Sequence, residues 1–160
     1  MDKEMWVNIP NYEKYYQIRN NGRIKSYDRY TNSSLINNNV ICRKGKILKQ
    51  SDDGSGYLQI ILNKDGKRKS FKVHRLVAEA FLDKKQFKYW KTENPNEIDI
   101  NKLEVNHKDE DQFNNNVNNL EWCTRLYNCN YGTRNQRVNS WKNGKRERRK
   151  YDKVRSNRKI

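Results

Sequence analysis

A chain of 160 residues with 35 Lys+Arg against 19 Asp+Glu, a formal net charge of +16, and 33 % hydrophobic residues is rich in charge and poor in apolar material. At a mean hydropathy of −1.32 it cannot fill one large core, so a small folded centre with extended ends is expected. Ten Tyr, four Trp and four Phe argue against a fully disordered chain, and no run approaches the ~18 apolar residues of a membrane span.

The N-terminal stretch "MDKEMWVNIPNYEKYY" has no apolar signal core, so no secretory signal is expected. Trp6, Ile9, Tyr12, Tyr15 and Ile18 gather around a Pro10 turn, and Trp6, Tyr15 and Tyr16 read as core. In "YQIRNNGRIKSY" apolar and polar residues alternate on either side of "NNG", the pattern of a hairpin. Residues 31–46 are polar and Asn-rich and read as a loop. "GYLQIIL" is a strand, "KDGK" a hairpin turn, and "KSFKVHRL" a second strand running into a helix. On that helix Leu76, Val77, Ala80 and Phe81 have helical spacing. Residues 84–100, charged and carrying Pro95, read as a connection.

"LEVNH" then reads as a short strand, Lys108 to Asn118 as a turn-forming loop, and "NLEWC" as a second strand. Thr124 caps a helix through "RLYNCN" that Gly132 ends. This order places His107, one of two histidines, at a strand end and Asn128 inside the helix. Val105, Leu120 and Trp122 read as core. Residues 142–160 hold ten Lys/Arg and two Asp/Glu, a net of +8, half the charge of the chain. Such a block reads as a disordered nucleic-acid-binding arm or as a basic helix that orders on DNA.

The excess of basic charge is the footprint of a nucleic-acid binder. Cys42, Cys123 and Cys129 are an odd number, which suggests reduced thiols in the cytoplasm or a host-cell interior rather than a secreted protein. None forms a CxxC pair, and Cys123 and Cys129 with His107 upstream do not have a structural zinc spacing. Asn richness is a compositional bias that explains the abundance of amides around His107 but not their order.

The order "VNHKD…NN…NNLEWCT…N" resembles the HNH motif of phage and intron-encoded homing endonucleases, over about residues 103–132. The resemblance implies that His107 is the general base and Asn106 the first metal ligand. It makes Asn119, in "NNLEW", the middle Asn that ties the catalytic loop together, and Asn128, in "RLYN", the helix-borne second ligand. The remaining amides are expected to build turns. "WVNIPNYEKYYQIRNNGRIKS" resembles the small NUMOD4-like module that precedes many such nucleases, and "GYLQIILNKDGKRKSFKVHRLVAEAF" the strand-turn-strand-helix that leads into their motif.

The expected fold is therefore α+β. A β-rich N-terminal module (1–44) precedes an HNH nuclease domain (45–137) with a ββα-metal core, and a basic C-terminal DNA-binding tail (138–160) follows. The expected activity is metal-dependent hydrolysis or nicking of double-stranded DNA, by a monomer or homodimer, with no membrane partner. Phosphodiester hydrolysis needs a base for water and a cation for the developing charge. A hard cation, Mg²⁺ or Mn²⁺, suits oxygen ligands completed by phosphate and water, and zinc is not expected. Asp109 and His74 are candidates for supporting the site. Arg23 and Lys25 of the hairpin, Arg75 and Arg125, and Arg134, Arg137, Lys145, Arg146, Arg148 and Arg149 near the C-terminus are candidate DNA contacts. One departure stands out: many HNH members carry Asp where this chain has Asn106, which removes a negative charge from the metal site. The alternatives are a non-catalytic DNA-binding protein on a degenerate HNH scaffold and a basic RNA-binding or ribosome-associated protein.

Overall fold

A computed structural model describes residues 5–32 and 40–157, with the side chains of 31–32 and 146–157 left out of the description. Strands β1 (Trp6–Asn8), β2 (Tyr16–Arg19) and β3 (Ile24–Ser26) form an antiparallel sheet in chain order. The turn between β2 and β3 needs Gly22, whose φ of +86° is left-handed and whose added Cβ would sit 3.0 Å from Asn115 Cβ. Of residues 31–46, expected as a loop, 31–32 and 40–43 instead lie in the antiparallel pair β4 (Arg29–Asn32) and β5 (Val40–Arg43), while 33–39 lie outside the described residues. Tyr30, Thr31, Val40 and Ile41 are aromatic and β-branched residues that favour a pleated strand. The Asn-rich composition hid them.

The short β6 (Ser51–Asp52) joins β7 (Leu58–Lys64) and β8 (Lys67–Lys72) in a second antiparallel sheet. Asp65 and Gly66 make the β7–β8 turn with φ of 50° and 76°, the two positive values a type I′ turn requires. Helix α1 (Val73–Phe81) follows without a break, burying Val73, His74, Leu76, Val77 and Ala78. After a connection with two 3₁₀ turns come β9 (Glu104–His107), β10 (Leu120–Cys123) and α2 (Arg125–Asn130). Thr124 caps α2 as the sequence suggests, its hydroxyl accepting from Tyr127 N at 3.1 Å.

One apolar cluster runs through the fold, from Ile9, Ile18 and Ile24 through Leu62 and Val77 to Val105, Leu120 and Trp122. Burial of each such side chain contributes about 1.5–3 kcal/mol. The N-terminal sheet is therefore not an appendage. Its main chain reaches the loop between β9 and β10 directly, with Val117 N donating to Asn20 O at 2.8 Å. Tyr16, 3 % exposed, crosses to β7, its hydroxyl bonded to both the N–H and the carbonyl of Asn63 at 3.0 Å.

The last helix, α3 (Arg134–Asn157), takes in the basic block as far as Asn157, the last described residue. The disordered arm is thus replaced by the helical alternative, already in the free chain. The segment contains no proline, and its Lys, Arg and Glu are good helix formers. No helix among the described residues is long and apolar enough to cross a membrane.

Candidate active site

The β9–β10 hairpin sets the site by register. Asn106 lies opposite Glu121, His107 opposite Leu120, and Glu104 opposite Cys123. Alternation sends Glu104, Asn106 and Glu121 to one face, across which α2 brings Asn128. The ring of His107, at the strand end, is 5 % exposed.

His107 Nε2 lies 3.2 Å from Asn115 Oδ1. Asn115 Nδ2 donates to Phe113 O at 3.3 Å, which fixes the amide with its oxygen toward the imidazole. An amide oxygen only accepts, so Nε2 carries the ring proton and Nδ1 is the basic nitrogen. Burial lowers the His107 pKa from its ordinary value, against the opposing effects of the Asn115 bond and the Asp109 and Asp111 charges. The net shift favours the neutral imidazole over the imidazolium.

The loop after His107 is tied across its own width. Asn119 Oδ1 accepts from Asp109 N at 3.0 Å, while its Nδ2 donates to Asp109 Oδ1 and Asn114 O, both at 2.8 Å. Asn114 Nδ2 donates to the other Asp109 oxygen at 2.6 Å. Asn119 is thus placed as a loop fastener, not as a group facing a reacting atom, and Asp109 is its partner.

Asn106 Nδ2 donates to Glu121 Oε1 at 2.8 Å and Asn128 Nδ2 to Glu104 Oε2 at 2.7 Å. An ionised carboxylate only accepts, so both amides must turn their nitrogens to the glutamates and their carbonyl oxygens away. Asn106, His107 and Asn128 line one cleft of about 150 Å³, with Tyr57 and Tyr131. Two carbonyl oxygens beside a neutral imidazole suit a hard cation such as Mg²⁺ or Mn²⁺ whose remaining ligands come from water and phosphate. Among the described residues no group of three His, Cys, Asp or Glu could hold a metal by itself. Cys123 is buried, its thiol pushed up to about 12 chiefly by desolvation.

His74, from α1, stands edge-on to His107 with ring centroids 5.1 Å apart. Burial first, and the neighbouring His107 next, push its pKa down to about 3. It is a neutral wall of the site, and its Nδ1 is buried without a partner. Tyr57, which the sequence does not single out, packs 4.9 Å from the His74 centroid and 6.1 Å from that of His107.

Sixty residues of the chain, 4–63, match the family model described as the NUMOD4 motif, which runs past the expected module boundary at residue 44. The chain is 36 % identical over 115 residues to the uncharacterized HNH endonuclease L245 of Acanthamoeba polyphaga mimivirus, covering 71 % of this chain and 29 % of that protein. It is 33 % identical over 123 residues to DNA endonuclease I-HmuI of Bacillus phage SP01, covering 77 % of this chain and 54 % of the relative. The solved structure of the HNH homing endonuclease I-HmuI, from a study of DNA binding and cleavage, superposes with a TM-score of 0.53 at 30 % identity, covering 87 % of this chain and 68 % of that one. The chain belongs to the HNH homing endonuclease family. It spans 29 % and 54 % of the lengths of the two curated relatives.

Within this HNH fold the expected DNA contacts are scattered. Arg23 is exposed on the β2–β3 turn, and Lys25 Nζ sits 4.4 Å above the Trp6 ring. Arg75 is exposed beside a second cleft of about 220 Å³ that shares Tyr57 and Asn128 with the first. Arg125 is exposed at the start of α2. Arg134 Nη1 donates to Cys129 O at 3.3 Å. Arg137 is not a free cation, because Glu110 Oε2 holds its Nη1 at 2.7 Å. Lys145 Nζ lies 3.9 Å over the Trp141 ring. Arg146, Arg148 and Arg149 lie on α3, and their side chains fall outside those described.

Sequence reading also missed Asn115, assigned with other amides to turns. It is 4 % exposed and is the His107 partner. A run of three consecutive asparagines, 114–116, offers no local signal to choose among them.

Proposed function

We propose that the chain is a metal-dependent endonuclease that nicks or cuts double-stranded DNA, with His107 as general base. The observation that carries this reading is the Asn115 bond, which commits Nε2 to the proton and leaves Nδ1 as a base beside two carbonyl oxygens. Nδ1 takes a proton from a water molecule, whose oxygen forms a bond to phosphorus as the bond to the leaving 3′ oxygen breaks. The products are a 5′-phosphate and, once that oxygen gains a proton, a 3′-hydroxyl. Asn106 and Asn128 would hold Mg²⁺ or Mn²⁺, which supplies Lewis acidity for the charge building on the phosphate. Asn119 and Asp109 keep the loop closed around the base. The net charge of +16 draws the chain to the polyanion.

The test is nicking of a supercoiled plasmid with Mg²⁺ or Mn²⁺ and a chelator control. His107→Ala is expected to lower the rate by roughly 10²–10⁴, the usual contribution of a general base. DNA binding should stay nearly intact, since a neutral imidazole neutralises no phosphate. If His107→Ala nicks at the parent rate, or the parent does not nick at all, the non-catalytic DNA-binding reading takes its place.

A further inference from the structure

Asn106 and Asn128 are poor metal ligands unless they are aimed. An amide presents oxygen on one side and NH₂ on the other, and a flip replaces a donor atom for the cation with two hydrogens. A carboxylate ligand has no such problem, because its two oxygens are alike. The chain has Asn at both positions and, within hydrogen-bonding distance of each, a different glutamate. Glu121 takes Asn106 Nδ2 at 2.8 Å across the β9–β10 ladder. Glu104, two residues before Asn106 on the same face of β9, takes Asn128 Nδ2 at 2.7 Å. Neither glutamate makes a salt bridge among the described residues, so neither negative charge is spent on a nearby cation.

We propose that Glu104 and Glu121 are positioning residues for the metal site. They aim the carbonyl oxygens of Asn128 and Asn106 at the cation, and supply behind the amides the negative charge that a ligand carboxylate would carry. The inference rests on the metal-dependent reading above. It explains how a neutral amide at position 106 is compatible with a metal centre. The charge is moved one hydrogen bond outward, where it also polarises the amide and enriches electron density on its oxygen. It changes what Asn106→Asp should do. With Glu121 still present, that substitution sets two carboxylates against each other across a directly opposed strand pair, an arrangement that repels. With Glu121→Gln as well, the glutamine NH₂ donates to the new carboxylate, and the roles of the two positions are exchanged.

The experiment is titration of the full chain with Mn²⁺ in the absence of DNA, following the free-ion electron paramagnetic resonance signal, with thermal unfolding as a control for folding. Glu121→Gln and Glu104→Gln are each expected to weaken Mn²⁺ binding about 10–100-fold, the usual cost of losing a partner behind a ligand, with unfolding midpoints close to the parent. Adding Asn106→Asp to Glu121→Gln should restore binding to the parent level or better, because that ligand no longer needs aiming. It should not rescue Glu104→Gln, whose amide is Asn128. Parent-like binding by both glutamine variants overturns the inference while leaving the metal reading standing. So does an equal loss from Glu121→Gln in both Asn106 backgrounds. Absence of Mn²⁺ binding by the parent chain overturns the metal reading and the inference with it.

Discussion

The hairpin-and-helix of residues 104–130 and the long helix α3 after it are built on opposite principles. In the first, Asn106, His107 and Asn115 are each no more than 5 % exposed and each is held by a specific partner. In the second, among the side chains described, only Val138 is even half-buried, and the surface is dominated by cations. Chemistry on a phosphodiester needs a base and ligands held to within a fraction of an ångström. Attraction to a polyanion needs only charge within a Debye length, about 10 Å at moderate salt. One region should therefore control rate and the other affinity.

After loss of His107 itself, the largest effect is expected at Asn115. Asn115→Ala removes the acceptor that fixes the His107 proton on Nε2, so both tautomers and other ring orientations become populated. Nicking should slow roughly 10–10²-fold, a fraction of what general-base catalysis supplies, with DNA affinity unchanged. Asn115→Asp probes the same bond by charge. Burial holds the parent His107 below its ordinary pKa, so the rising limb of the rate against pH should have its midpoint under ~6.5. A carboxylate at Nε2 favours the imidazolium, raises the pKa, and should move that limb to higher pH. A pH–rate profile identical in parent and variant would mean that the amide does not set the base.

The same contrast explains what could be read in advance. His107, Asn106, Asn119 and Asn128 were singled out by their order along the chain and its resemblance to the HNH motif, on a strand, loop, strand and helix that each leave a local trace. Glu104 and Glu121 were not, because their pairing with amides exists only once the β9–β10 register is known. Tyr57 reaches the site from the residue before β7, far upstream, through the shared core, whereas His74 on α1 was already a candidate for supporting the site. Gly22, whose missing Cβ makes room for Asn115, is more distant still. For residues 31–46 and the tail, polar composition pointed to loop and arm, while strand and helix formed from propensities that composition masks.

A smaller effect, on affinity alone, is expected from removing residues 142–160. Each phosphate neutralised by Lys or Arg adds about 0.9 to the salt slope of binding to duplex DNA. The truncated chain should bind more weakly, with a flatter dependence of log affinity on log salt, and keep its nicking rate at saturating DNA in low salt. The measurement is binding by fluorescence anisotropy across a salt series, alongside single-turnover nicking. Equal slopes for full and truncated chains would remove α3 from the DNA interface.

The smallest effect belongs to the residue that joins the two regions. Glu110, in the catalytic loop with φ of 61°, accepts from Thr133 N at 2.8 Å and Thr133 Oγ1 at 2.7 Å, and pairs with Arg137. Those Thr133 bonds, ahead of the Arg137 charge, hold its carboxyl below the ordinary range. Glu110→Gln keeps the shape but gives up the charge, which frees Arg137 to meet a phosphate. An exposed ion pair of this kind contributes no more than about 1 kcal/mol, so the junction itself should survive. The expected result is a salt slope steeper by up to about 0.9, one added phosphate contact, with the single-turnover rate lowered less than about threefold. The two quantities should move independently, because the Asn119–Asp109 fastening of the loop does not pass through Glu110. If Glu110→Gln instead slows nicking as much as Asn115→Ala, α3 is a working part of the catalytic loop and the division between rate and affinity fails at this residue.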